Sequence, residues 1–207
     1  MKDLISIVIP VWGDYYCYMK ECLQSVEAQT YKNYEVILVE NKTDLSSARN
    51  EGIRKAKGEW ILPLDIDNTI APDFLEKTVG QGDIVATYQQ WFEQSRDIYD
   101  PGYDLELKDF LLGNKVDAGS LFKKEIWEKV GGYDEDMKQG WEDWEFWIRA
   151  LAAGYTITVI RKPLFFYRKH SDSLLSITNA NGEKIFKYIF NKHKEIYKKY
   201  GFKINLK

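Results

Sequence analysis

Glu59-Trp60-Ile61-Leu62-Pro63-Leu64-Asp65-Ile66-Asp67-Asn68 is an apolar run that stops at two acids one residue apart. The run has the length and composition of a buried strand, which puts Asp65 and Asp67 at its carboxyl end. Two carboxylates so placed can hold a hard divalent cation. Such an ion takes oxygen ligands, keeps part of its water and fills the remaining positions with phosphate oxygens, an arrangement suited to a nucleoside diphosphate. Short Asp-x-Asp strings are also common on solvated loops, so the surroundings decide what this one means.

Upstream, residues 5–10 form a continuous apolar stretch of the kind found in the middle of a parallel sheet. Residues 15–29 carry Tyr15, Tyr18, Met19, Cys22, Leu23 and Val26 at helical spacing. Residues 34–39 again read as a strand, ending at Glu40-Asn41. Thr43-Asp44 caps a helix over residues 45–57, closed by Gly58. Downstream, a short helix after Pro72-Asp73 and a strand over residues 83–88 continue the alternation. Strands alternating with helices imply right-handed crossovers and an α/β fold with a mostly parallel central sheet. Ligands in such sheets bind beyond the strands' carboxyl ends, where Pro10-Val11-Trp12, Glu40-Asn41 and Asp65-Ile66-Asp67 all fall.

Residues 89–114 are mixed and rich in Tyr, Asp and Gly, and no element is assigned there. A short strand over 118–123, helices over 124–130 and 141–153, and a late strand over 155–160 follow. Residues 183–200 read as one amphipathic helix, apolar on one side and lysine-rich on the other.

At 207 residues, 44% of them apolar, the chain is long enough for one domain with a substantial core. Its net charge of −3 provides no basic field to gather nucleic acid or an anionic membrane. The apolar start is too short to span a bilayer and has no small-residue cleavage site, so the chain reads as cytoplasmic. Cys17 and Cys22 sit five apart in one expected helix, which separates them around it and argues for packing residues rather than a disulfide. Aromatics make up 15% of the chain. Most are expected in the core, although aromatic faces also pack well on the C–H faces of sugars.

Glu142-Asp143, within Gly140-Trp141-Glu142-Asp143-Trp144-Glu145-Phe146-Trp147, is a second acidic centre at a helix start. Acids there stabilise the helix dipole in any protein. The surrounding tryptophans exclude water, however, and can tune a carboxylate to act as a base.

In order along the chain, Ser6-Ile7-Val8-Ile9-Pro10-Val11-Trp12, Ser25-Val26-Glu27-Ala28-Gln29-Thr30-Tyr31, Tyr34-Glu35-Val36-Ile37-Leu38-Val39-Glu40-Asn41 and Ser47-Ala48-Arg49-Asn50-Glu51-Gly52-Ile53 precede the acidic strand. Val130-Gly131-Gly132-Tyr133-Asp134-Glu135, Glu142-Asp143-Trp144 and Tyr167-Arg168-Lys169-His170 follow it. Together the pieces resemble the inverting glycosyltransferases of family 2, which have the GT-A fold, across residues 4–175. The resemblance implies that Pro10, Val11 and Trp12, with Glu40 and Asn41, hold the nucleobase, and that Arg49 lies near the base or diphosphate. Asp65 is expected to face the ribose with Ile66 beside it. Asp67 is expected to bind Mn²⁺ or Mg²⁺, with His170 on the metal or a phosphate. Asp143 would be the catalytic base, with Glu142 the next candidate for that role, and Glu142 and Trp141 would position the acceptor. Residues 1–110 would then form the donor half, 111–175 the acceptor half, and 176–207 a helical tail packed on the same domain.

The implied partners are a nucleotide-diphosphate sugar and a glycan or lipid-linked acceptor, with no nucleic acid. The Lys-rich helix offers the alternative of a weak, peripheral contact with a membrane surface. Two departures from the family stand out. The usual acidic pair after the second strand is Glu40-Asn41, and only a few residues separate it from Ser47-Ala48-Arg49, so the sheet should be one strand smaller at that edge. A nucleotidyltransferase would need a glycine-rich basic phosphate loop where Val11-Trp12-Gly13-Asp14 stands. A non-catalytic sugar-binding or nucleotide-binding domain is the other alternative, against which the joint presence of Asp65, Asp67, Asp143 and His170 argues.

Overall fold

The computed structural model describes residues 3–11, 13–40, 44–170 and 181–202. A single mixed sheet runs through them in the order β2-β1-β3-β7-β5-β8-β4, with β6 paired to β5. Its strands are β1 (Ile5–Val11), β2 (Tyr34–Glu40), β3 (Trp60–Pro63), β4 (Thr69–Ile70), β5 (Ile84–Glu93), β6 (Ile98–Tyr99), β7 (Leu121–Lys123) and β8 (Ile157–Lys169). β2, β1, β3, β5 and β8 all run one way, as a mostly parallel α/β sheet requires. The short strands β7, β4 and β6 run against them. As the short link after Glu40 implies, β2 is the edge.

Every residue of β1 is buried, because helices cover both faces of the sheet there. Alternation sends Ile5, Ile7 and Ile9 to one side, where they meet Cys22 and Val26 of α1 (Met19–Glu27) and Phe74 and Leu75 of α3 (Phe74–Thr78). Val8 goes to the other side, against Ala48 and Ile53 of α2 (Leu45–Lys55). Asp44 caps α2 by accepting from the Ser47 N–H at 2.8 Å. Gly52 lets this helix approach closely: a Cβ there would stand 2.3 Å from Val8 Cγ1. The same face continues through Phe122, Phe146 and Trp147, packed between α4 (Lys124–Val130) and α5 (Glu142–Ala152).

Several boundaries differ from the sequence reading. Residues 13–18 form a 3₁₀ turn before α1, which leaves Cys17 exposed while Cys22 is buried; only the second is a packing residue, and both thiols are free. β5 and β8 both run well past their expected ends and pair along their length, with a register shift around Tyr88. The expected single C-terminal helix is two, α6 (Gly182–Lys192) and α7 (Lys194–Lys199). The break falls at His193, whose ring is buried and whose Nε2 lies 2.7 Å from Glu145 Oε1. Ile185 and Ile189 of α6 pack into the same core cluster as Phe146 and Trp147 of α5. Lys192, Lys187 and Lys198 are engaged by acids, which reduces the charge left for an anionic surface. No helix among the described residues is long and apolar enough to cross a membrane.

Candidate active site

The Asp65-Ile66-Asp67-Asn68 segment turns back on itself, with the Asn68 N–H donating to the Asp65 carbonyl at 2.9 Å. Ile66 is buried in the core and anchors the turn rather than facing a ligand. β8 holds the turn from the side: Arg168 N–H donates to Asn68 Oδ1 at 3.0 Å, and Arg168 Nε donates to the Asp67 carbonyl at 2.9 Å. Glu93 and Glu21 pair with the same guanidinium and fix it in place. The two acids consequently diverge. Asp65 faces a cleft of about 310 Å³, while Asp67 turns toward His170.

Asp67 Oδ2 and His170 Nε2 lie 3.2 Å apart. Burial, followed by the Asp65 charge, pushes the Asp67 carboxyl up to about 6, and His170 works against that shift. His170 is well packed, with its ring 5.6 Å from that of Tyr15 and 5.9 Å from that of Tyr18. Two ligands each about 2.1 Å from one ion stand about 3 Å apart at neighbouring octahedral corners. The Asp67–His170 pair therefore suits a shared cation whose other positions go to phosphate oxygens and water. Among the described residues no third His, Cys, Asp or Glu joins them.

The second acidic centre meets the first through Arg49. Its guanidinium is buried; Nη2 donates to Asp65 Oδ1 at 2.7 Å and Nη1 donates to Glu142 Oε1. Arg49, expected near the base or diphosphate, and Glu142, expected to position the acceptor, are thus both buried and paired where they line the cleft. This ion triad ties the acidic turn after β3 to the start of α5.

Asp143 projects into the cleft instead. Asn114 Nδ2 donates to its Oδ2 at 2.8 Å, and the Trp144 N–H donates to its Oδ1 at 2.8 Å. Burial first, and then the Glu142 charge, push the Asp143 carboxyl up to about 7, with Arg49 opposing. Trp141 precedes the helix at φ 60° and ψ 19°, a left-handed conformation unusual for a bulky side chain, and its ring also lines the cleft.

Of the expected nucleobase residues, Pro10 and Val11 end β1 and Glu40 ends β2, with Val11 paired in register to Glu40 on the same rim. The Tyr16 hydroxyl bonds the Glu40 carboxylate, and desolvation first and this bond second raise the phenol's pKa. Trp12 and Asn41 lie outside the described residues.

The sequence reading missed the cleft floor. Asp117 carries a carboxyl pushed up to about 7, mainly by burial, and Gln89 Nε2 donates to its Oδ2. Gln89 Oε1 in turn accepts from Trp91 Nε1 at 3.2 Å. Trp91 stacks on Tyr99, and Lys169 Nζ stands 3.9 Å above the Trp91 ring. These residues come from β5, β6, β8 and the loop before β7, and no local motif marks them. The signal available was their polar and aromatic character in segments that begin as core strands.

Residues 40–84 match the model of glycosyl transferase family 2, and residues 98–171 match that of the N-terminal domain of galactosyltransferase. An uncharacterized glycosyltransferase of Methanocaldococcus jannaschii is 24% identical across 90% of this chain and 78% of its own length. The glycosyltransferase GlyG of Streptococcus pneumoniae is 27% identical across 80% of this chain and 59% of its own. These matches support a likeness to the family 2 glycosyltransferases. The fold agrees: S. aureus TarS 1-349, solved in complex with UDP-GlcNAc, superposes with a TM-score of 0.70 at 16% identity. The mannosyltransferase PcManGT from Pyrobaculum calidifontis, solved with GDP-Man and Mn²⁺, gives 0.64 at 16% identity. Each superposition covers 85% of this chain and about three-fifths of the solved chain (61% and 60%), and both mark the fold as GT-A.

Proposed function

We propose that this chain moves a sugar from a nucleotide-diphosphate sugar to an acceptor hydroxyl with inversion, in glycan synthesis, and that Asp143 is the base. The observation that carries the reading is the Asp143 carboxylate, held by Asn114 in the cleft that also takes Asp65, with its pKa raised to about 7. A base poised near the working pH combines a useful unprotonated fraction with enough basicity to accept a proton.

The donor's nucleotide lies along the ends of β1 and β2, its ribose toward Asp65 and its diphosphate toward Asp67 and His170. The solved neighbours bound to UDP-GlcNAc and to GDP-Man support a donor of this class. Asp67 and His170 would hold a Mn²⁺ or Mg²⁺ ion, which supplies neutralisation of the departing diphosphate. The acceptor oxygen attacks the anomeric carbon from the face opposite the diphosphate, and its proton passes to Asp143. A carbon–oxygen bond forms as the sugar–phosphate bond breaks, so an α-linked donor gives a β-linked product. Asn114 keeps the Asp143 carboxylate turned into the cleft, while the Arg49 triad holds α5 against the donor turn.

Asp143→Asn keeps the side chain's shape and removes its basicity. Transfer should fall by about 10²–10⁴-fold, with nucleoside-diphosphate affinity within about twofold of the parent's. Parent-like transfer by this variant at saturating donor would remove Asp143 from the role.

A further inference from the structure

A second groove of about 490 Å³ opens beside the catalytic cleft, between the loop after Phe110 and the start of α6. Leu112, Gly113, Trp141, Trp144, Phe186 and Glu183 line it, and Asn114 and Trp141 belong to the walls of both spaces. The groove is therefore continuous with the site that presents Asp143. Building on the transferase reading, we propose that it is a second acceptor subsite. In this proposal it seats the pyranose ring next to the one that receives the new sugar, so that the acceptor is a glycan of at least two rings rather than a monosaccharide or a lipid tail.

Three observations favour a sugar ring. First, the lining alternates flat aromatic surface with polar groups. The aromatic surface is that of Trp141 and Phe186, both partly exposed and braced by the buried Trp144, which stacks on Phe186 at 6.0 Å and meets Trp141 edge-on at 5.4 Å, while Asn114 and Glu183 stand at the edges. A pyranose presents C–H faces to such rings and hydroxyls to the remaining lone pairs of Asn114 and Glu183, which also bond Asp143 and Lys187, whereas an alkyl chain offers such edges no hydrogen bond. Second, the protein spends conformational energy on the shared wall. Trp141 is held at φ 60°, and Gly182 is bare where a Cβ would come within 2.8 Å of the Trp141 ring. Strain of this kind in a bulky residue costs about 1–3 kcal/mol and persists where its surroundings impose it, often at ligand-binding sites. Third, Leu112 holds its side chain 68% exposed at the groove's mouth, and a Cβ at Gly113 would meet open space. An exposed leucine on a glycine-flanked rim gives apolar contact to a ligand without blocking entry.

The test measures binding first, so that it stands apart from turnover. Saturation-transfer NMR titrations of the parent and of Leu112→Asp would use a panel of methyl glycosides of common hexoses, the matching methyl disaccharides, and octyl glycosides of the same hexoses. The expected result is that at least one disaccharide binds tenfold or more tightly than its single-ring component, that Leu112→Asp erases this advantage, and that the octyl chain adds nothing. Equal affinity for one and two rings, no disaccharide binding to 50 mM (about −1.8 kcal/mol), an advantage that survives Leu112→Asp, or an octyl-dependent gain lost in that variant would each overturn the subsite. A parallel assay of nucleotide release from a panel of nucleotide sugars tests the transferase reading itself. Failure there with disaccharide binding intact would refute turnover and leave the groove standing.

Discussion

Replacing Arg49 with Met should be among the most damaging single changes to the stability of this fold. The guanidinium is 1% exposed and faces two carboxylates, of which Glu142 is 5% exposed and Asp65 is 32% exposed. Removing one partner of a buried pair typically costs about 3–5 kcal/mol, because the other charge stays desolvated. Asp65 reaches solvent and recovers hydration, so the penalty concentrates on Glu142. Arg49 Nε has no hydrogen-bond partner among the described residues, and its removal returns part of the loss. The expected cost is therefore near the lower end, about 3 kcal/mol, or a Tm lower by about 6–12 °C in a domain of this size. Arg49→Met/Glu142→Leu exchanges the pair for apolar volume and should recover to within about 1 kcal/mol of the parent. Urea titrations followed by tryptophan fluorescence measure both variants. A loss below about 1 kcal/mol in the single variant, or a double variant no more stable than the single, would refute the idea that the triad is held together by buried charge.

Asp67→Ala and His170→Ala should each weaken nucleoside-diphosphate binding by about 10–100-fold when Mn²⁺ is present and by little in chelator; calorimetry showing equal affinities with and without metal would exclude the pair as its ligands. Asp117 is a raised acid: its folded-state pKa is about 7 against an ordinary 3.8, so its stabilising effect is complete below about 4 and is lost as pH rises through about 7. Asp117→Asn should accordingly gain Tm relative to the parent on going from pH 4 to pH 8, and a difference that does not change with pH would show that Asp117 carries no raised pKa.

The parts of the fold readable in the sequence are those whose residues do one job. Strand β1 is apolar throughout because both its faces are covered, and the acids after β3 are conspicuous because the apolar run stops at them. β5 and β8 begin the same way, but Arg161 and Lys162 interrupt β8 at the surface and polar residues such as Gln89 and Lys169 mix into the far halves, where both strands line the cleft. Hydrophobic patterning reports a core, so it falls silent where a strand leaves the core while its ladder continues. For the same reason Asp117, Gln89 and Lys169 escape a motif search: they converge from elements far apart in sequence. The break at His193 was hidden differently. Its ring serves Glu145 of α5, a tertiary demand that the helical spacing of residues 183–200 does not record.

Glu142 and Asp143 show how far a motif can go before geometry takes over. They are neighbours with the same chemistry, and the sequence offers both as base or positioning group. In the structure one helical step of about 100° separates their directions. Glu142 turns inward onto a guanidinium that also holds Asp65, so its charge is spent on joining the two acidic centres. Asp143 turns outward into the cleft, where its partner is the neutral amide of Asn114. Burial is what chiefly raises the Asp143 carboxyl, with the Glu142 charge adding to it and Arg49 and the Trp144 N–H opposing. The Glu142–Arg49 pair thus fixes Glu142 as structure, and Asp143 is left in the cleft, where burial first and the Glu142 charge second raise it toward the range a base needs.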